Sequence, residues 1–383
     1  MIIVYILIAI LMFGLLIAVH EFGHFAAAKA VGVKVNEFAI GMGPRIFHRQ
    51  KGETEYTIRL FPIGGFCAME GEEEDSGDPR AFGNKPTWQR LIVLAAGAFM
   101  NFVSGVLIFV VLFAGTTSYI SPVIAGFMDG FAAQGEDGLM AGDRIVEVDG
   151  HDIYLQEDIS LFFNRAGEVM DITVVRDGER VELEDLSMPW LAMVDENGSP
   201  VLDENGNQVL KRGVNFTIQE ANAFDRLRLA WYNSIDTIRL VWVSLGDLVT
   251  GAVGIRDMSG AVGIVTMMSD VGTQAQEAAQ STGQNWVAAV ASSIAYFVAF
   301  IAINLAVMNL LPIPALDGGQ ILFLIVDKIY SLFSRRHIPQ KYLGYINAAG
   351  FIFLMGLMIL VACSDVALIK KSMEYTFKKY GET

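Results

Sequence analysis

The sequence predicts an α-helical polytopic membrane protein of four transmembrane helices, interrupted by one inserted α/β domain that lies in water. Three observations lead there. Of the 383 residues, 53% are hydrophobic, and the mean hydropathy of +0.44 is too high for an ordinary soluble enzyme. The apolar residues gather into runs at 1–30, 91–116, 286–311 and 348–363, near the roughly 20 residues that cross a bilayer core of about 30 Å. Between the second and third runs the composition changes. Residues 117–285 hold ten Lys/Arg against twenty-seven Asp/Glu, a net charge of −17 in a chain of −15 overall.

The first run carries no charge from Met1 to Val19. It has no basic start and no convincing cleavage site, so it reads as a membrane helix and not as a signal peptide. At its inner end stands His20-Glu21-Phe22-Gly23-His24. Residues four apart share a helix face, so His20 and His24 can aim two imidazoles at one metal ion. Glu21, beside them, has the place of a general base for a water at that metal. Such histidines also occur on ordinary surfaces. Ionisable groups beside lipid, however, are costly and point to function. The motif implies a zinc hydrolase at the membrane boundary.

Residues 56–69 have strand composition around Pro62-Ile63-Gly64-Gly65, which predicts a hairpin. The acidic run at 70–78 reads as a solvated loop. Residues 118–187 alternate short β-type runs with Gly turns, and 141–150 (AGDRIVEVDG) resembles the strand-turn-strand signature of bacterial PDZ domains. Asp195-Glu-Asn-Gly198 recurs as Asp203-Glu-Asn-Gly206, predicting two tight Asn-Gly turns in preference to a calcium loop. Residues 224–250 are helical in period and predict an amphipathic helix on the outer membrane face. This gives four parts: membrane core 1–116, PDZ domain with a hairpin insert 117–221, surface helix and linker 222–284, and membrane core 285–383.

Near the end of the third apolar run stands Asn309-Leu-Leu-Pro312-Ile-Pro314-Ala-Leu-Asp317-Gly-Gly. Two prolines two apart stop a regular helix, so the chain breaks at membrane depth beside a carboxylate. In isolation the stretch reads equally well as a helix stop capped by Asp317. Joined to His20 and His24, Asp317 completes a three-ligand zinc set with the fourth position left for water.

At these residues the sequence resembles the site-2 intramembrane metalloproteases, and within them the bacterial branch typified by the regulator-of-sigma-E protease. The fragments are HEFGH at 20–24, EFAIGMGP at 37–44, YTIRLFPIGGFCAMEG at 56–71, AAGAFMNF at 95–102, SGAVGI at 259–264 and NLLPIPALDGG at 309–319. The resemblance implies zinc at His20, His24 and Asp317, with Glu21 activating the attacking water. Asn309 is implied to contact substrate or orient the site, with Pro312, Pro314, Gly64 and Gly65 supporting it. The hairpin is implied to be a re-entrant β-loop that pairs with an unwound substrate. This chain departs from proteobacterial members in having room for one PDZ domain. It also has Met42 where Phe is frequent, and Ala-Gly-Ala where Ala-Gly-Pro is usual.

The expected activity is zinc-dependent cleavage of single-span membrane proteins, such as anti-sigma-factor-like regulators or remnant signal peptides, after an upstream site-1 protease has acted. The alternative is a non-catalytic membrane receptor that binds peptide ends. Charges flanking the helices place 29–90 and 312–347 in the cytoplasm and the acidic domain outside a bacterial inner or plasma membrane. On that topology Cys67 and Cys363 face opposite sides and do not pair. No basic patch suggests nucleic acid.

Overall fold

The computed structural model describes residues 2–72, 76–195, 199–202, 206–254, 260–336 and 338–380. The chain forms two compact units, one of Met1–Leu112 with Thr237–Thr383 and the other of Phe113–Asp236. The first unit begins with α1 (Ile2–Ala30), whose apolar run contains no proline. The helix stops at Gly32, which takes φ +73° while the Val33 N–H bonds the Ala28 carbonyl at 2.8 Å. That is a Schellman stop, available to glycine because it has no Cβ to clash.

Two long strands follow, β1 (Val35–Lys51) and β2 (Thr54–Met69), so the predicted hairpin is larger than its sequence signal. Residues 37–40 of β1 lie between two stretches of β2: Ile40 opposes both Gly65 and Ile58, and Phe38 opposes both Cys67 and Tyr56. Arg59 and Arg45 both pair with Glu37, at 2.7 and 3.1 Å, and tie the layers of this sheet together. The end of the sheet around its bend at 60–64 is apolar and exposed, at Ile46, Phe47, Leu60 and Phe61. Pro62 lies against α1 so closely that a Cβ on Gly14 would come within 2.3 Å of its carbonyl oxygen. Then comes α2 (Thr87–Phe113), the second apolar helix.

The second unit is a sheet of β3 (Ser118–Phe127), β4 (Arg144–Val148), β5 (His151–Asp152), β6 (Val169–Arg176), β7 (Glu179–Ser187) and a later strand, packed on α3 (Gln156–Arg165). A small pair, β8 (Leu191–Ala192) and β9 (Leu210–Lys211), precedes β10 (Val214–Glu220). The sheet order is β10-β3-β4-β6-β7, so β10 is an edge. Ile145, Val148, Ile172 and Val174 turn inward to meet Ile159, Phe162 and Phe163 of α3, a register shift between Ile145 and Glu147 bringing Val148 to the same face. Bridges Val194–Pro200 and Leu202–Gln208 flank the two predicted Asn-Gly turns. Glu196, Asn197, Gly198 and residues 203–205 themselves lie outside the described residues.

Next, α4 (Ala223–Thr250) starts on an Asn222 cap that accepts the Phe224 and Asp225 N–H groups, and crosses the boundary between the units. The stretch read as a linker contains α5 (Ala261–Ser281), which packs Met268 among Tyr5, Met12 and Leu16 of α1 and Ile301 of α6 (Trp286–Leu310). The sequence reading did not anticipate this helix, because its Thr, Ser, Asp and Gln residues hide the apolar stripe. After α6 come α7 (Asp317–Ser334) and α8 (Gln340–Tyr380). Among the described residues, four spans are long and apolar enough to cross a membrane: Val4–Ala30, Thr87–Phe113, Trp286–Leu310 and Gly344–Ser364. They match the four predicted runs. Cys67 and Cys363 are both free thiols.

Among the described residues the second unit buries the carboxylates of Asp143 and Asp158, and the first of them is held by a cation. Asp143 is 1% exposed and is gripped by Arg176 at 2.7 and 2.9 Å. Replacing Arg176 with Met leaves that charge without its cation and should cost about 3 kcal/mol. Amide hydrogen exchange of 145–148 in the full-length protein is expected to accelerate by roughly a hundredfold, since each 1.4 kcal/mol is a factor of ten.

Candidate metal centre

Four helices of the first unit build the site. α1 contributes His20 and His24, one turn apart, with rings 4.7 Å between centroids and nearly perpendicular. α7 contributes Asp317 in its first turn, where the free N–H groups favour an anion. Asp317 reaches the site because the chain between α6 and α7 folds back tightly. A Cβ on Gly318 would lie 2.2 Å from the Leu311 carbonyl oxygen, so this position has room only for glycine. Ala315 takes φ +73°, a left-handed conformation that costs a non-glycine residue about 1 kcal/mol or more. Its N–H donates to Asn347 Oδ1 of α8 at 3.4 Å.

The three potential ligand atoms form a nearly equilateral triangle. His20 Nε2 and His24 Nε2 are 3.1 Å apart, and Asp317 Oδ2 lies 3.2 and 3.4 Å from them. Bonds of about 2.0–2.1 Å to a tetrahedral zinc give ligand–ligand edges of about 3.3 Å, so the triangle has the size of one tetrahedral face. The protonation pattern agrees. His24 Nδ1 donates to the Val93 carbonyl at 2.8 Å, which leaves its Nε2 as a bare lone pair. Asp317 Oδ2 is buried with no hydrogen-bond donor. Lone pairs converging in a buried place need a cation, and the donor set of two imidazoles and a carboxylate suits zinc.

Backbone proximity from α2 (Thr87–Phe113) closes the site. A Cβ on Gly97 would lie 2.4 Å from His24 Nε2 and 2.7 Å from His20 Cε1. One turn on, Asn101 is 1% exposed and brings its amide 3.5 Å from His20 Nδ1. Asn309 of α6 approaches the same nitrogen at 3.4 Å. The triad opens into a cavity of about 780 Å³ lined also by Glu21, Phe66, Cys67, Ala68, Met69 and Gln320. Glu21 accepts the Cys67 backbone N–H. At the cavity's polar rim the Lys34 ammonium, with Ser76 and Asn36, holds the Glu70 carboxyl down to about 2.

The structure thus brings His20, Glu21, His24, Asp317 and Asn309 together. Gly65 stands near them, a Cβ there falling 3.5 Å from Glu21 Cγ, whereas Gly64 serves the strand bend at φ +89° against Met42. Pro312 and Pro314 shape the loop before Asp317, and Pro314 packs on Gly350 of α8. The roles of Gly97, Asn101 and Val93 were missed. A glycine and an asparagine four apart in an apolar helix were the available signal.

Residues 8–357 match peptidase family M50. The chain belongs to peptidase family M50. It is therefore an intramembrane zinc metalloprotease of the site-2 type, and the non-catalytic receptor reading falls. A Clostridium perfringens protein that carries the name zinc metalloprotease is 34% identical over 94% of this chain and 98% of its own length. A Fusobacterium nucleatum protein of the same designation is 34% identical over 94% and 98%. The regulator of sigma-W protease of Bacillus subtilis is 28% identical over 93% of this chain and 97% of its own.

Closeness of α2 to the triad yields a test. In Gly97→Ala the new methyl would occupy space within 2.4 Å of His24 Nε2, so the helix or the ring must move. Zinc per purified protein, measured by mass spectrometry, is expected to fall by tenfold or more. Gly246→Ala, where a Cβ meets nothing within 4 Å, should leave zinc unchanged.

Proposed function

We propose that His20, His24 and Asp317 hold the zinc, that Glu21 is the general base, and that the enzyme cleaves single-span membrane proteins within or near the bilayer. The 3.1–3.4 Å triangle of ligand atoms beside a cavity lined by Glu21 carries this reading. When bound, zinc supplies Lewis acidity toward the water and the scissile carbonyl. Glu21 takes the proton of the attacking water and returns it to the leaving amine. Its carboxylate is held in place by the Cys67 N–H, which fixes where the base stands.

A peptide bond inside a helix is shielded by its own turns, so the substrate must be extended before water reaches it. Among the described residues, 65–69 pair on one side only, with 35–40, and Phe66 to Met69 line the cavity. Their other edge can receive an extended substrate strand. The exposed apolar bend of the sheet and the contact of Pro62 with mid-α1 support a re-entrant position in the bilayer.

The regulator name of the Bacillus relative supports a regulated route. In it, a site-1 protease trims an anti-sigma-factor-like protein, or a signal peptidase leaves a remnant, and this enzyme then cuts in the membrane of a bacterial cell. The metal centre faces the cytoplasm, following the basic flanks of the helices, and the acidic unit 113–236 is extracytoplasmic. Its sheet and α3 suit a single PDZ domain. Between α3 and the free edge of β10 runs a groove of about 400 Å³ lined by Ile159, Phe163, Val214 and Phe216, of the shape that takes an added peptide strand. Exposed Phe224, Leu227 and Trp231 share one face of α4 and suit the membrane surface.

Glu21→Gln keeps the shape of the side chain and loses the proton acceptor. It is expected to abolish cleavage of a reconstituted single-span substrate, by about 10²-fold or more, while zinc content stays at the wild-type level. Normal turnover would remove Glu21 from the mechanism.

The external unit is proposed to act as a filter. Replacing 118–220 with a flexible linker should keep zinc bound and keep cleavage of substrates with short external stubs. The ratio of long-substrate to short-substrate cleavage should rise. An unchanged ratio in the zinc-loaded deletion would exclude filtering, and loss of all cleavage would make the unit a docking element.

A further inference from the structure

We propose that Asn101 is a positioning residue for the metal centre: its side-chain carbonyl accepts the Nδ1–H of His20 and so directs the Nε2 lone pair of His20 at the metal. The inference rests on His20, His24 and Asp317 being the ligands. It begins from an asymmetry between the two histidines. The His24 ring is held by a backbone acceptor, the Val93 carbonyl, at 2.8 Å. His20 has no such partner. Its Nε2 faces the other two ligand atoms, so the ring hydrogen belongs on Nδ1 and needs an acceptor.

Two amides surround that nitrogen, and both present Nδ2, Asn309 at 3.4 Å and Asn101 at 3.5 Å. An NH2 group cannot receive a hydrogen. At the same place Asn101 Oδ1 is buried and has no hydrogen-bond partner. Oxygen and nitrogen of an amide have nearly the same shape, and their orientation is set by the hydrogen bonds around them. A half-turn of the Asn101 amide exchanges the two atoms and satisfies His20 Nδ1–H and Asn101 Oδ1 together.

Asn101 suits this role better than Asn309. It is 1% exposed, so water cannot replace the missing partner. Asn309 is half-buried and can turn toward substrate. Gly97, on the same face of α2 one turn earlier, is what allows the helix to stand close enough, since any Cβ there would strike the imidazoles. Glycine supplies the approach and asparagine the acceptor.

The experiment uses full-length protein in detergent, with zinc affinity from chelator competition and the visible spectrum of the cobalt(II)-substituted protein. Asn101→Leu keeps volume without an acceptor. It is expected to weaken zinc binding by about 10- to 100-fold and to shift the cobalt bands, as loss of an outer partner of a ligating histidine does. Asn101→Asp keeps an acceptor at the same place and should restore both readouts to near wild type. A folded Leu variant with unchanged affinity and spectrum overturns the proposal. Should the Leu variant fail to fold, Asn101→Asp decides alone, because loss of metal there means that the NH2 and not the oxygen is required. Zinc lost from Asp317→Ala but unaltered in Asn101→Leu defeats this proposal only. Zinc retained by Asp317→Ala defeats the ligand assignment, and this proposal falls with it.

Discussion

Two imidazole nitrogens and a carboxylate oxygen within 3.4 Å of one another, in a setting with little water, repel until a cation joins them. Much of the membrane core is arranged to hold this unfavourable cluster ready. The apolar length of α1 sets the depth of the histidines. The turn at 311–317 brings a carboxylate to meet them, at the cost of a left-handed alanine and glycines without alternatives. The Val93 carbonyl fixes one ring. On the proposed ligand assignment, the strain and the unpaired polar groups are offset when metal binds there, which would couple the folding of these helices to metal occupancy.

The site shows what a one-dimensional pattern can and cannot carry. His20, Glu21 and His24 are legible because helical spacing alone places two of them on one face. Asp317 is legible because two prolines and two glycines around a carboxylate are too unusual for hydrocarbon to be neutral. Asn101 and Gly97 carry the same period, yet a small residue and an amide in an apolar helix have many ordinary meanings. Only the distance to His20, across eighty-one positions of sequence, separates them from packing. The Val93 carbonyl has no sequence signature at all, since every residue owns one.

The fold divides along similar lines. Long uncharged runs announce the spans, because hydrocarbon demands satisfied backbone and apolar side chains at once. The sheet of β1 and β2 was seen only at 56–69. Its first strand has Gly41, Gly43 and Pro44 in it, residues that normally argue against a strand, and it persists because neighbours on both sides pair it. α5 escaped notice for the opposite reason. Its polar residues look like a linker, while Met268 is wholly buried and Gly272 leaves room for the Tyr5 ring.

The same sheet has two unlike ends. The turn at 49–55 carries Arg49, Lys51, Glu53 and Glu55, whereas the bend at 60–64 is Leu60, Phe61, Pro62, Ile63 and Gly64. Such a body behaves as a float with a keel. In the proposed re-entrant placement, lifting the charged end into hydrocarbon or drawing the apolar bend into water would both cost free energy, which gives the sheet a preferred draught. Because residues 66–69 of that sheet also wall the cavity, the proposed re-entrant placement would set which level of a passing helix is held against the proposed metal site. On that proposal bilayer thickness is a ruler for the position of the cut, read off by a feature that touches neither zinc nor the scissile bond.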